Sequence, residues 1–395
     1  MKILYLDLNI KYHNPTRNLI PLLLKSIADE LDIFGPGYVH ENILYRGIDE
    51  FVEQNGPYDF VCSNEHISIF FNEKYKKENM KYINNFFFKT FSFTSEILIS
   101  IEKMNKFFTN YQDSKKLLFL LEFDYYWINR HKLDLIDATQ AFIIGFGNTF
   151  IAPLDEMPDL KKETFADKAN DNWYNYINKN TTKIIDLPHF VSPDEFSFLN
   201  IENRRYDITV LGAGYWNRKQ ALYFAEKDTR LKVYKNFHNK IFYLLHKTGL
   251  PVYSNSLMIS FYNLYFKYIM EQSLMSYTCG SALRWPIRKF FEIPSKGAVL
   301  LATPYKGFTE TGFIDKKNCI IVHENDLNMI NDIVYYYKSN LEELGSIAKH
   351  ANSFIWKTHS LEARSKQLAK VCFSIINDQF AGSYWKEGKF YVQKK

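Results

Sequence analysis

The residues with the clearest chemistry are Arg288, Lys289 and Glu292, in the stretch Arg288-Lys289-Phe290-Phe291-Glu292-Ile293-Pro294-Ser295-Lys296-Gly297. Cations can neutralise a diphosphate, and a carboxylate can accept hydrogen bonds from both hydroxyls of a ribose. Pro286 suits the first turn of a helix, and Gly297 suits the left-handed position just past its end. The start of such a helix, beside a strand end, also favours an anion. Phe290, Phe291 and Pro294 fall on one face, and Arg288, Glu292 and Ser295 on the other. The bland reading is a surface helix with an Arg288–Glu292 or Lys289–Glu292 ion pair, which needs no function.

A second candidate is the turn Gly212-Ala213-Gly214, between a strand that starts near Arg205 and a helix carrying Arg218. Strand, Gly-x-Gly and helix make a phosphate-type turn. The full dinucleotide fingerprint is broken, because Asn217 stands where its third glycine belongs, so a nicotinamide site is weakly supported. An ordinary tight turn with an exposed arginine is the alternative. Ser281 and Arg284 lie in the loop between a strand at Leu274–Cys279 and Pro286. In the first half, ligands of a doubly wound sheet bind beyond the carboxyl ends of the strands. That rule selects Asn9, His13, Glu65, His66, Glu122 and Asp124. His13, Glu122 and Asp124 are the preferred acid–base candidates, since a base must reach the hydroxyl it deprotonates. Each could equally be a loop polar residue or a helix cap.

The elements that must position these residues alternate. Strands are expected at Lys2–Leu8, Tyr58–Ser63, Lys116–Glu122 and Ala141–Gly145, and helices at Asn18–Phe34, Met80–Thr90 and Ser95–Tyr111. A polar excursion covers Asp155–Asn178, with a short helix near Trp173–Ile177. A strand from Lys183 then runs into a linker with two prolines, Pro188 and Pro193, a natural hinge over Pro188–Phe196. Later helices are expected at Lys240–Gly249, Leu257–Ser273, Asp326–Asn340, Leu341–Phe354 and Ser360–Ile376. The aromatic stripe of Ile259–Met270 reads first as core and second as a membrane-interface helix. The fold expected is α/β, two Rossmann-like domains facing across a cleft, with boundaries at 1–190 and 191–375. Residues 376–395 would cross back to the first domain on Phe380, Tyr384, Trp385, Phe390 and Tyr391.

The stretch Arg288–Leu301 resembles the donor-nucleotide motif of GT-B glycosyltransferases, nearest to the spore-maturation-protein-type and group-1-like bacterial enzymes. The passage Pro188–Phe196 is similar to the segment by which GT-B chains leave their first domain. Thr303–Phe313, Glu324–Leu327 and the pair His359 and Arg364 resemble the end of the same families. The resemblance covers about Lys183 to Leu368. It implies that Glu292 holds the ribose, that Arg218, Lys289 and Arg288 neutralise the leaving diphosphate, and that Gly212, Gly214, Ser281 and Arg284 line the donor pocket. Many retaining members carry two glutamates eight apart, but Arg284 stands eight before Glu292. That departure leaves the donor sugar and the stereochemical outcome open. The implied reaction moves a sugar from a nucleotide-sugar donor to a hydroxyl of a bacterial surface glycan or glycoconjugate, the acceptor partner being a glycan or a lipid-linked molecule.

Composition bounds the rest. The 395 residues allow two cores, and a net charge of +5, spread along the chain, gives no argument for nucleic acid. Four well-separated cysteines without a C-x-x-C read as buried thiols and not as a zinc site. There is no D-x-D pair to hold a divalent ion on a diphosphate, so neither a metal nor another cofactor is expected. The first residues read as a strand and not as an export signal, and no apolar run is long enough to span a bilayer. The expected location is cytoplasmic, with peripheral contact at the inner face of the membrane as a further option. The rival readings are a non-catalytic nucleotide or sugar binder, a nucleotide-sugar epimerase of the same fold and, more weakly, a Rossmann oxidoreductase.

Overall fold

The computed structural model describes residues 1–9, 15–70, 95–121, 127–157, 169–198, 200–212, 214–235, 237–248, 250, 256–280 and 283–395. Two parallel sheets organise them. The first contains β1 (Lys2–Leu6), β2 (Glu30–Phe34), β3 (Phe60–Asn64), β4 (Lys115–Leu120), β5 (Phe142–Gly145) and β6 (Ile184–Asp186), in the order β2-β1-β3-β4-β5-β6. The second contains β7 (Tyr206–Val210), β8 (Val233–Tyr234), β9 (Ser273–Thr278), β10 (Val299–Ala302) and β11 (Ile320–Ile321), in the order β11-β10-β9-β7-β8. Counted within each half, both sheets start with the second strand beside the first and the third on its other side. Each therefore reverses direction between its first and third strands, which is where such sheets open a ligand crevice.

The strands are apolar on both faces because helices cover both. In β1, Leu4 and Leu6 enter one buried cluster while Ile3 and Tyr5 enter another on the opposite face. In the second sheet, Val299 and Leu301 of β10 face one layer and Leu300 and Ala302 the other. Alternation across a pleat, with both faces buried, gives a continuous apolar run in sequence. The four cysteines are buried and free.

Two expectations change, and the last residues gain a definite form. The helix expected over Asn18–Phe34 ends early: short helices occupy Pro15–Asn18 and Ile20–Lys25, and Glu30–Phe34 is the edge strand β2, in parallel register with β1. Ile20, Leu23, Leu24, Ile27 and Leu31 continue a helical spacing, so periodicity alone ran through the turn at residues 26–29. The aromatic helix, at Ser256–Glu271, buries Ile269 and Met270 but exposes Leu257, Phe261, Leu264 and Tyr268, so its stripe is not wholly core. The last residues form an antiparallel hairpin, β12 (Phe380–Lys386) and β13 (Lys389–Lys394).

The hairpin packs on the first half. Phe380 meets Phe142 edge-on, and the Trp385 indole N–H donates to the Asp186 carbonyl at 2.7 Å. The helix Leu361–Ile376 also packs there, since Leu368, Val371, Cys372 and Ile375 share the cluster of Ile3, Tyr5, Phe60 and Leu117. The helix expected over Met80–Thr90 lies outside the described residues.

Candidate functional site

The second sheet changes direction between β7 and β9, and three candidate residues meet there. Gly212 follows β7 with φ +105°, and a side chain at that position would lie 2.7 Å from Lys289 Cε and 3.0 Å from an Arg218 terminal nitrogen. The missing Cβ lets the turn lie against two cations at once. Arg218, in the helix Trp216–Lys227, is buried, reaches Thr278 Oγ1 at 3.3 Å and the Cys279 carbonyl at 3.4 Å, and stacks over Tyr215. Lys289 opens the helix Lys289–Ser295, its ammonium 5.2 Å from the Phe266 ring centroid. Burial lowers the Lys289 ammonium to about 8, and Arg218 beside it pushes the same way. The Glu292 carboxylate acts on that ammonium the opposite way, favouring its charged form.

Arg288, the neighbour of Lys289, points elsewhere. Its guanidinium is buried between the carboxylates of Glu292 and Glu195, bonded to both. Its Nε donates to Thr16 Oγ1 at 3.2 Å, and Thr16 in turn contacts His189 Nδ1 at 2.9 Å. Arg288 therefore joins the donor-side helix, the linker and the first half. The Lys296 ammonium donates to the Glu195 carbonyl, closing the other side of this cluster. For Glu292, burial alone would raise the carboxyl, but Arg288 and then Lys289 outweigh it and hold it below its ordinary value. His189 is pushed down to about 3, first by burial and then by Arg288, so it is neutral.

Arg284 is held in the left-handed region at φ +48° and pairs with Glu324, while also reaching the Glu156 carbonyl at 3.4 Å. It borders a cavity of about 430 Å³ lined also by Thr303, Pro304, His323, Glu324 and Asp326, beyond the ends of β10 and β11. An acid thus stands in this loop cluster, supplied by Glu324 at the head of the stretch Glu324–Leu327. Gly214 is exposed and lies against the Lys219 side chain.

On the first half, His13, Glu122 and Asp124 lie outside the described residues, as does Ser281 on the second. Among the described residues of the first half, Asn64 donates to Asp7 at 2.7 Å, and Glu65 forms a fully buried ion pair with Arg17. Burial, then Arg17, pushes the His66 imidazole well below its usual range. Glu65 and His66 therefore belong to a packed polar layer under the first crevice. Thr16, His189 and Glu195 were not singled out as site residues by sequence, and Glu324 only as the first residue of the stretch Glu324–Leu327. Their partners stand 40 or more residues away, and only the Ser192–Glu195 capping box left a local trace.

These residues can bind an anion at Arg218 and Lys289, and a hydroxyl-bearing group near Glu292. Among the described residues, no cluster of three or more His, Cys, Asp or Glu could hold a metal ion.

No family model matches the sequence, and no curated protein matches it. Solved structures do. HepE of Anabaena, in complex with UDP, aligns with a TM-score of 0.50 at 11% identity, covering 95% of this chain and 100% of that one. An α-glucosyltransferase in complex with UDP-glucose and DNA containing an abasic site aligns with a TM-score of 0.50 at 11% identity, covering 94% of this chain and 99% of that one. With two parallel sheets of matching strand order and this likeness along nearly its whole length, the chain has the GT-B fold.

Proposed function

We propose that the protein is a glycosyltransferase that moves a sugar from a nucleotide-sugar donor to a hydroxyl of a bacterial surface glycan or lipid-linked glycan, without a metal. The observation that carries this is the convergence of Arg218 and Lys289 on Gly212 at the crevice of the second sheet. Two cations there do for a departing diphosphate what a divalent ion does elsewhere. The acceptor oxygen attacks the anomeric carbon as the bond from that carbon to the diphosphate oxygen breaks. Its proton passes to a first-half base, for which His13, Glu122 and Asp124 are the candidates, and the nucleoside diphosphate leaves against Arg218 and Lys289. Glu292, held as a carboxylate by Arg288, receives the ribose hydroxyls. Arg288 acts through Glu292 and Glu195 and not on the phosphates.

HepE in complex with UDP, and the α-glucosyltransferase in complex with UDP-glucose, make uridine the first base to test. The experiment is thermal unfolding with UDP, GDP, CMP, ADP and their common sugars, for the native chain and Glu292→Gln. A ligand that binds only the folded state raises its stability. One nucleoside diphosphate is expected to raise Tm in the native chain and not in the variant. No shift with any nucleotide, in a sample that unfolds cooperatively, would overturn the donor site. Tight binding with no hydrolysis or transfer would favour a non-catalytic binder.

A further inference from the structure

The helices Phe237–Lys247 and Ser256–Glu271 lie side by side, with the buried Phe242 against Phe261 and Tyr262 at ring distances of 6.5 and 5.0 Å. Both helices leave large apolar side chains open to water. Leu257 is 78% exposed, Phe261 59% and Leu264 66%, at the 4- and 3-residue spacing that stacks side chains along one helix face. Tyr268 extends the row, and Ile241, Tyr243 and Leu244 add to it from the other helix. Soluble monomers rarely leave so much contiguous apolar surface uncovered.

The charge around this face is one-sided. Between Asp228 and Glu271 there is no acidic residue, while Arg230, Lys232, Lys235, Lys240, Lys247 and Lys267 fall within that span. Arg230 is paired with Asp228 and Lys267 with Glu271, which leaves Lys232, Lys235, Lys240 and Lys247 exposed, the last two on the helix Phe237–Lys247 itself. We propose that this helix pair docks the protein on the surface of an anionic lipid bilayer.

Lysine is depleted from the buried centres of protein interfaces, and a second copy would set these lysines against their own kind. An anionic bilayer takes all three features together: Leu and Phe enter the acyl boundary, Tyr suits the headgroup level, and Lys meets the negative surface. At 16 residues, Ser256–Glu271 is shorter than the ~20 needed to cross, and no described helix is long and apolar enough to do so. It would lie flat. Its inner side carries Phe266, next to Lys289, so docking would hold the crevice of the second sheet within a helix's width of the lipid. The inference does not depend on the transfer reaction.

The test is co-sedimentation of the full chain with vesicles of phosphatidylcholine, alone or mixed with phosphatidylglycerol, at low and high salt. The native chain should sediment with the anionic vesicles only, and less at high salt. The double variant Phe261→Ser/Leu264→Ser should bind roughly 100-fold more weakly. Lys240→Gln/Lys247→Gln should lose about 30-fold and most of the salt dependence. Both pairs are exposed, so unfolding curves matching the native chain's are expected. Failure of the native chain to bind anionic vesicles overturns the proposal, as does unchanged binding by the serine variant. A solution dimer that the serine variant converts to monomer would assign the face to a second copy instead.

Discussion

In the proposed donor site Lys289 would meet two opposed requirements. A part-buried ammonium costs the unliganded fold, whereas a bound diphosphate would need it charged. With the folded value near 8 and the unfolded value near 10.5, the unfolded chain holds one more proton between those limits. Lys289 therefore makes the unliganded protein more stable as pH rises from about 8 to 10.5, while below 8 its charge is a burden. Nucleotide affinity has the opposite sign and should fall as pH rises through 8, when the ammonium loses its proton. Lys289→Met should stabilise the unliganded protein by about 1 kcal/mol at pH 7, the part-exposed position tempering a larger shift. It should weaken nucleoside diphosphate binding roughly 10- to 100-fold and remove the fall in affinity above pH 8. Calorimetric titration across pH 6.5 to 9.5 reads both, and native affinity and pH profile in the variant would refute the assignment. Sequence picked out Lys289 and Arg288 as residues able to neutralise a diphosphate but could not separate their roles. Consecutive helical residues point about 100° apart, and what each one faces is decided by the linker and the glycine turn, distant in sequence.

The short helix Lys289–Ser295 is pinned by Arg288 between Glu195 and Glu292. Removing the cation leaves two part-buried carboxylates facing each other without their shared partner, so Arg288→Met should cost about 3 kcal/mol. Glu292→Gln leaves Arg288 its bond to Glu195 and should cost only about 1–2 kcal/mol, yet abolish the nucleotide-induced shift. Denaturant unfolding of both variants separates the structural cation from the ligand-facing carboxylate, and equal losses would show that Glu292 too is mainly structural. This helix was legible because Pro286, the apolar face and Gly297 (φ +70°) all mark it locally. Strand β2 was not legible, because its apolar residues continued the preceding helix's spacing and its identity comes from pairing with β1. The aromatic helix was half legible: its apolar content was plain, but which face meets the sheet depends on the core that receives Ile269 and Met270.

Among the described residues the two halves are joined at several places, three of them along the backbone's own path. The linker crosses once, the Val191–Ser360 bridge returns it, and the last helix and hairpin cover the first sheet. Strand alternation gave the two-sheet plan from sequence, but the hairpin's role could only be expected from its aromatics. Trp385 is where the joins meet. It is 5% exposed, hydrogen-bonds the end of β6, stacks on His359 at 5.2 Å and lies 5.5 Å from the Arg364 guanidinium. His359 and Arg364 are bonded to each other at 3.1 Å, and Arg364 also reaches the His189 carbonyl of the linker. Removing the indole takes one filler from both halves, so Trp385→Ala should cost about 3–5 kcal/mol, whereas Tyr384→Ala, at a 41% exposed neighbour, should cost under about 1 kcal/mol. Loosening the joint should also divide unfolding into two steps. The first half would melt at the lower temperature, and a nucleoside diphosphate would move only the upper step, because its cations belong to the second sheet. Calorimetry of Trp385→Ala with and without nucleotide checks this. A single transition that shifts as a whole would mean that the interface around Thr16 and Arg288 is enough to keep the halves cooperative.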